Sequence, residues 1–161
     1  MISSPSRTRR LDWTVGGFLI HRQKVLLIHH RKLDAWLAPG GHVDKNETPD
    51  EALQREFREE VGIAIEFSEV AAVSLTESLL QNLALPFHAN VHSVGDHDHA
   101  CWYYLVTTKQ PQVRIQPDEI RAFQWLGENE IESAPFIWQN VKAIARLAFA
   151  KKKELDQSQK P

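Results

Sequence analysis

The chain has 161 residues, 42% hydrophobic and 25% charged, the ordinary proportions of one globular domain with a sizeable core. Its net charge of −2 offers no general attraction for polymeric nucleic acid or an anionic membrane, which leaves a small ligand as the expected partner. Cys101 is the single cysteine, so no internal disulfide forms, and no apolar run approaches a membrane span; a cytoplasmic monomer or homodimer is the expectation.

Residues 1–10 are serine- and arginine-rich, carrying Arg7, Arg9 and Arg10, and read as a loose arm without the apolar core of a secretory signal. A domain is expected over 11–150. Its first strand is predicted over 14–20 and its second over 24–29, with His21, Arg22 and Gln23 as a hairpin connection. Residues 33–37 lead into the turn Pro39, Gly40, Gly41, and the helix that follows is predicted to run from Pro49 to Val61. A β-rich stretch is expected over 64–76, and 78–89 reads either as a short helix or as a packed loop ended by Pro86. Residues 102–108 form the clearest central strand, with Cys101 a buried, inert thiol at its start. A further strand over 121–126 puts Phe123 and Trp125 on one face. Helices follow over 128–133 and 137–149, the second carrying Ile137, Val141, Ile144, Ala145, Leu147 and Ala148 at mainly helical spacing and expected to cover the sheet. The lysine-rich tail over 151–161 is expected to fray. Helices between and after strands make this an α/β layered domain.

The helix at 49–61 carries the chemistry. Thr48 caps it, Pro49 suits its first turn, Glu51 completes a Thr-x-x-Glu capping box, and Gly62 stands where a left-handed residue ends a helix. At about 100° per residue, Leu53, Phe57 and Val61 form one apolar stripe that faces the core. Glu56, Glu59 and Glu60 share an adjacent face at i, i+3 and i+4, where like charges repel by a few tenths of a kcal/mol per pair. A divalent cation removes that repulsion, and carboxylate oxygens suit Mg2+ or Mn2+. Ala52 lies on the same face and is expected to leave room for ligands. An ordinary solvated helix has no need of the Pro39-Gly40-Gly41 turn before it, which lets backbone approach a ligand.

Gly41, Glu47, Arg55, Glu56, Phe57, Glu59, Glu60, Gly62 and Ile63 together resemble the Nudix box, G-x5-E-x7-R-E-U-x-E-E-x-G-U. Phe57 is the one departure, an aromatic where an aliphatic is usual. The resemblance implies a Nudix-type α/β/α sandwich with a mixed β-sheet between helices. It also implies metal-dependent cleavage of the diphosphate linkage of a nucleoside diphosphate joined to another group. By carry-over, Glu56, Glu59, Glu60 and the Gly40 carbonyl hold Mg2+ or Mn2+, Gly41, Glu47 and Gly62 are structural, and Arg55 pairs with Glu47 or touches phosphate directly. Glu59 or Glu56 is the first choice for the base that takes the proton from water, with Glu119 the candidate from a loop.

Eight histidines remain to be placed, and His88, His92, His97 and His99 crowd one segment with Asp96 and Asp98. They read as a polar loop beside the substrate entrance, with His97 and His99 on the substrate, or as a site for a metal that favours imidazole. His42 follows the glycine pair and is expected to line the pocket, while Trp36 and Phe87 are chosen over Trp102 and Trp138 to stack on a base. The alternatives to hydrolysis are a Nudix-like sensor that binds a nucleotide without turnover and a non-hydrolytic diphosphate isomerase, whose catalytic cysteine pattern is missing here.

Overall fold

The structure is a computed structural model that describes residues 10–70 and 73–158. The expected N-terminal arm, except Arg10, and the last three residues of the tail lie outside the described residues.

Strand β1 (Leu11–His21) is the spine of one mixed eight-stranded sheet. It runs straight into β2 (Lys24–His30) through Arg22 and Gln23, both at positive φ (48° and 62°), the twist a two-residue hairpin turn requires. Strand β3 (Ala35–Leu37) pairs with β2, and the short β4 (Gly40–His42) returns to β1, setting Gly41 opposite Val15 and His42 opposite Thr14. After helix α1 (Pro49–Val61) come β5 (Glu66–Phe67), β6 (His88–Ser93) and β7 (Asp98–Thr107). Strand β7 lies parallel to β1 from Leu11 opposite Asp98 to Leu19 opposite Val106. Strand β8 (Ile120–Gly127) pairs with β2, and helices α2 (Glu128–Ser133) and α3 (Gln139–Ser158) complete the chain.

Two cores sandwich this sheet. On one face Leu53, Phe57 and Val61 of α1 pack on Val15, Leu19, Leu26, Ile28 and Val106. On the other, Val141, Ile144, Ala145, Ala148 and Phe149 of α3 pack on Phe18, Ile20, Val25, Leu27 and Leu105. Covered on both sides, Val25 to Ile28 is a continuous buried run rather than an alternating one. Phe57, the aromatic departure from the box, is fully buried, which is worth about 1.5–3 kcal/mol of transfer from water.

Helix α1 begins and ends where its residues dictate. Thr48 Oγ1 accepts the Glu51 N–H at 3.3 Å and Glu51 Oε2 accepts the Thr48 N–H at 2.8 Å. Gly62 takes φ 67°, which costs a residue with a Cβ, and the chain turns there as the Gly62 N–H donates to the Arg58 carbonyl.

Three expectations change. Among the described residues, the β-rich stretch over 64–76 shrinks to Glu66–Phe67, with one bridge from Val70 to Ala84. The outer edge of β7 is already occupied, by β5 at Val106 and Thr107 and by β6 from Asp98 to Tyr103, which leaves that segment no place on β7 beyond Phe67. Residues 73–83 run as an exposed loop, and so does most of the ambiguous 78–89 stretch; the Ala84 N–H then donates to Asp50 Oδ2 at 2.8 Å at the start of α1. The histidine-rich segment, in turn, is no loop but the β6–β7 hairpin. Helix α3 begins two residues later than expected and continues past Phe149 to Ser158 in place of a frayed tail. Leu155 packs on the α3-side core, and Lys151 and Lys152 pair with Glu154 and Asp156 one turn on, so the last turns have both an apolar anchor and matched charges. No helix among the described residues is long and apolar enough to cross a membrane.

Candidate functional site

The box glutamates meet the glycine turn where α1 crosses the β1–β4 pair. Glu60 is 2% exposed, and its Oε2 accepts the Gly40 N–H at 3.0 Å. Burial pushes its carboxyl up to about 8, with the nearby Glu56, Glu119 and Glu59 adding to the rise. Burial also raises Glu56, against the opposing pull of Arg55. Gly41 is there because nothing larger fits: a Cβ on it would stand 2.2 Å from Glu56 Oε1. Ala52 does not leave ligand room, since it is fully buried in the core under the helix.

Arg55 holds the loop and the helix face together. Its Nε donates to Glu47 Oε1 at 2.9 Å and its Nη2 to Glu47 Oε2 at 3.0 Å and to the His42 carbonyl at 2.9 Å. Its Nη1 donates to Glu56 Oε1 at 2.9 Å and Glu59 Oε2 at 3.2 Å. The hydrogen bond from Arg55 holds Glu47 below the usual carboxylate range, and Glu47 in turn keeps Arg55 charged at any working pH. All of its donors point at protein oxygens, so this Arg55 is engaged as a brace.

Glu119 reaches the same place from a different element. The loop before β8 is fastened to the end of α1 by the Arg114 N–H on the Val61 carbonyl at 2.8 Å and the Gln116 N–H on the Glu60 carbonyl at 2.9 Å. The Arg31 N–H fixes the Glu119 carbonyl at 2.7 Å, and the exposed Glu119 side chain is close enough to raise both Glu56 and Glu60. Four carboxyl groups gather here with Arg55 as their cation, and two of them, Glu56 and Glu60, hold their protons more tightly than an exposed carboxyl does. Carboxyl oxygens gathered in this way fit a hard divalent cation, which would restore the ionised form of Glu56 and of the buried Glu60.

The other expected residues are elsewhere. Alternation along β1 and β4 sends Gly41 toward α1 and His42 to the opposite face of the sheet, where its ring lies 4.9 Å from that of His99. His97 and His99 join His42 on that face, away from the glutamates. Trp36 stacks on His29 at 5.2 Å and Phe87 sets its edge on Phe18 at 5.7 Å, and both pack into the α3-side core. Sequence reasoning missed Trp13, and passed over Trp102, as a pair. Their rings stack at 4.9 Å and 7° on the α1 face, Trp102 lying across Val15 from Gly41 and Trp13 remaining 49% exposed. Two strand spacings, about 10 Å, separate the rung of Trp102 from Gly41. The signal was available in the odd-numbered alternation Trp13, Val15, Gly17, which shares a face with Phe57. A separate cleft of about 790 Å3 between the β1–β2 turn, α2 and the end of α3 has no box residue in its lining.

The chain's likeness to known proteins agrees with this geometry. The NUDIX domain model matches residues 10–147. An RNA pyrophosphohydrolase of Cereibacter sphaeroides is 28% identical over 147 residues, covering 84% of this chain and 91% of its own length. An m7GpppN-mRNA hydrolase of Bos taurus is 29% identical over 138 residues, covering 78% of this chain and 44% of its own length. The crystal structure of a NUDIX-family hydrolase from Clostridium perfringens superposes with a TM-score of 0.76 at 28% identity, covering 88% of this chain and 97% of that one.

Proposed function

The chain belongs to the NUDIX family and is a pyrophosphohydrolase, and on that premise we propose that it cleaves the diphosphate linkage of a nucleotide-type small molecule with the help of Mg2+ or Mn2+. The observation that carries the reading is the meeting of Glu56, Glu59, Glu60 and Glu119 with the Gly40–Gly41 turn around a single arginine. Glu56, Glu59, Glu60 and the Gly40 carbonyl are the groups that would hold the ion. Such an ion neutralises diphosphate charge and makes water easier to deprotonate.

The residues of the chain supply the rest. Arg55 keeps Glu56, Glu59 and the Glu47 loop in one arrangement while the Gly40 N–H holds Glu60, so that little reorganisation is needed when substrate arrives. Glu119 is the base in this reading: it approaches from a loop and no hydrogen bond to its carboxylate ties it to another described residue, whereas Glu56 and Glu59 are both engaged with Arg55. It takes the proton from the attacking water, and the leaving phosphate departs with its charge compensated. Trp13 and Trp102 offer a π-face for a base beside the site, in place of Trp36 and Phe87. The α3-side packing of those two makes them part of the core.

The names of the relatives support a second reading, in which the diphosphate is the 5′ end of an RNA. The net charge of −2 favours a free nucleotide, since a polymer would need a basic track. The test is release of phosphate or nucleotide from a panel of nucleoside diphosphate derivatives, nucleoside triphosphates and 5′-triphosphorylated RNA, with Mg2+ or Mn2+. Wild type is compared with Glu59→Gln and Glu60→Gln. Turnover that is metal-dependent and lost in both variants supports hydrolysis at this site, and equal turnover in all three proteins overturns it. Ligand-induced stabilisation with no turnover across the panel would make the protein a nucleotide sensor.

A further inference from the structure

We propose that Asp12, His42, His97 and His99 form a binding site for one divalent ion of the Zn2+ class, on the face of the sheet opposite the box glutamates. The four donors come from three strands and a turn. The register of β1 with β7 sets Asp12 beside His99, the register of β1 with β4 sets His42 beside Thr14, and His97 closes the β6–β7 turn just ahead of β7. Alternation places Asp12 and Thr14 on the Phe18 side of β1, so the group shares no face with Gly41 and Glu56.

The spacing is that of a coordination shell. His97 Nε2 lies 3.0 Å from His99 Nε2 and 3.3 Å from Asp12 Oδ2, His42 Nε2 lies 3.9 Å from Asp12 Oδ2, and the four donor atoms all fall within 4.8 Å of one another. A tetrahedral ion with bonds of about 2.0–2.1 Å holds its ligands roughly 3.3–3.4 Å apart. The group straddles that value, and the 56% exposed His42 side chain has the freedom to close the longest gap. Asp96 Oδ1 stands 2.7 Å from His97 Nδ1, which fixes the hydrogen on that nitrogen and leaves Nε2 free to ligate, the outer support usual for a metal-bound histidine. Arg10 Nη2 sits 2.9 Å from Asp12 Oδ2 and is highly exposed, so it can withdraw to Oδ1 when an ion takes its place.

Imidazole nitrogen favours Zn2+, Co2+ or Ni2+ over Mg2+, whereas carboxylate oxygens also suit Mg2+ and Mn2+, so excess Mg2+ competes for the box glutamates and leaves the histidine group open to Zn2+ or Co2+. With four protein donors the site has no position left for a substrate and acts as a staple between β4 and the β6–β7 hairpin.

The experiment uses chelator-treated, dialysed protein held in excess Mg2+ and titrated with Zn2+ by calorimetry and with Co2+ by visible absorption. The expected result is one equivalent bound with a Kd of about 1 µM or tighter and the intense visible bands of tetrahedral Co2+. Loss of an outer partner of a metal-bound histidine costs about 10–100-fold in affinity, so His42→Ala and Asp12→Asn should each cost at least that. His97→Ala combined with His99→Ala abolishes the Co2+ bands, with folding checked by circular dichroism. Glu59→Gln combined with Glu60→Gln keeps them. Absence of tetrahedral bands, or an equivalent that survives all the histidine changes and disappears with the glutamates, overturns the proposal.

Discussion

Arg55 grips both oxygens of Glu47, Nε on Oε1 at 2.9 Å and Nη2 on Oε2 at 3.0 Å, and so joins the loop after β4 to the middle of α1. A lysine keeps the charge but has no planar fork with which to span Glu47, Glu56 and the His42 carbonyl. Arg55→Lys is therefore expected to lower kcat by about 10–100-fold, the usual cost of losing a group that orients metal ligands. Combining it with Glu47→Gln should cost clearly less than the two single losses together, because both remove the same brace. Steady-state kinetics on the four proteins of that cycle decides; a fully active Arg55→Lys variant would show that the fork is dispensable.

Glu60 makes the metal-free protein sensitive to alkali. Its folded carboxyl titrates at about 8, above the ordinary 4.5, so the folded state holds this proton more tightly than the unfolded one. The stability that follows is fully present below about pH 4.5 and is lost as pH rises through 8. Denaturant unfolding in chelator should show stability declining from pH 5 to 8. Glu60→Gln should flatten that decline, and Mn2+ should reverse it for wild type. A wild-type profile with the same slope as Glu60→Gln would contradict the burial argument.

Gly41→Ala forces a methyl group to within 2.2 Å of Glu56 Oε1. The carboxylate has to swing away, at a cost of about 1–3 kcal/mol typical of overpacking. Both the unfolding midpoint and the Mn2+ affinity should fall, the second by calorimetry, and an unchanged affinity would place the ion away from Glu56.

If Glu119 is the base, Glu119→Gln lowers kcat by about 100-fold or more and removes the acidic limb of the kcat pH profile, while Mn2+ affinity holds. A variant that keeps the limb shifts the role back to Glu59 or Glu56.

Trp13→Ala should raise KM with little change in kcat, by about 5–100-fold if a base stacks on the pair with the usual 1–3 kcal/mol per base. Trp13→Phe should recover most of it. Equal KM values for substrates with and without a base in both variants would remove the pair from substrate binding.

Local rules made α1 legible to the residue. Its cap, its first-turn proline and its terminal glycine are all decided by neighbours within four positions, and both ends fall where the sequence places them. The glutamate face followed from the same periodicity. What escaped was set by distant partners: the stretch after Ile63 has strand-like composition, yet it stays irregular because β6, some 20 residues later, takes the edge of β7. The histidines escaped for a related reason. Which face His42 occupies, and so its meeting with Asp12, depends on its register with Thr14, and the arrival of His99 at Asp12 depends on β1 lying beside β7, neither of which is written in the residues around it. Trp36 and Phe87 were chosen for ring chemistry alone, and it is the α3-side core that claims them.

Strand β4 has only three residues, and none of them is a spacer. Gly41 yields space to a carboxylate on one side, and His42 gives a ring to the other. A slip of one position in either direction would turn the imidazole to the α1 face and take it away from Asp12. Every other register of this segment is thus penalised twice over, and an insertion between Pro39 and Val43 should be among the least tolerated changes anywhere in the chain.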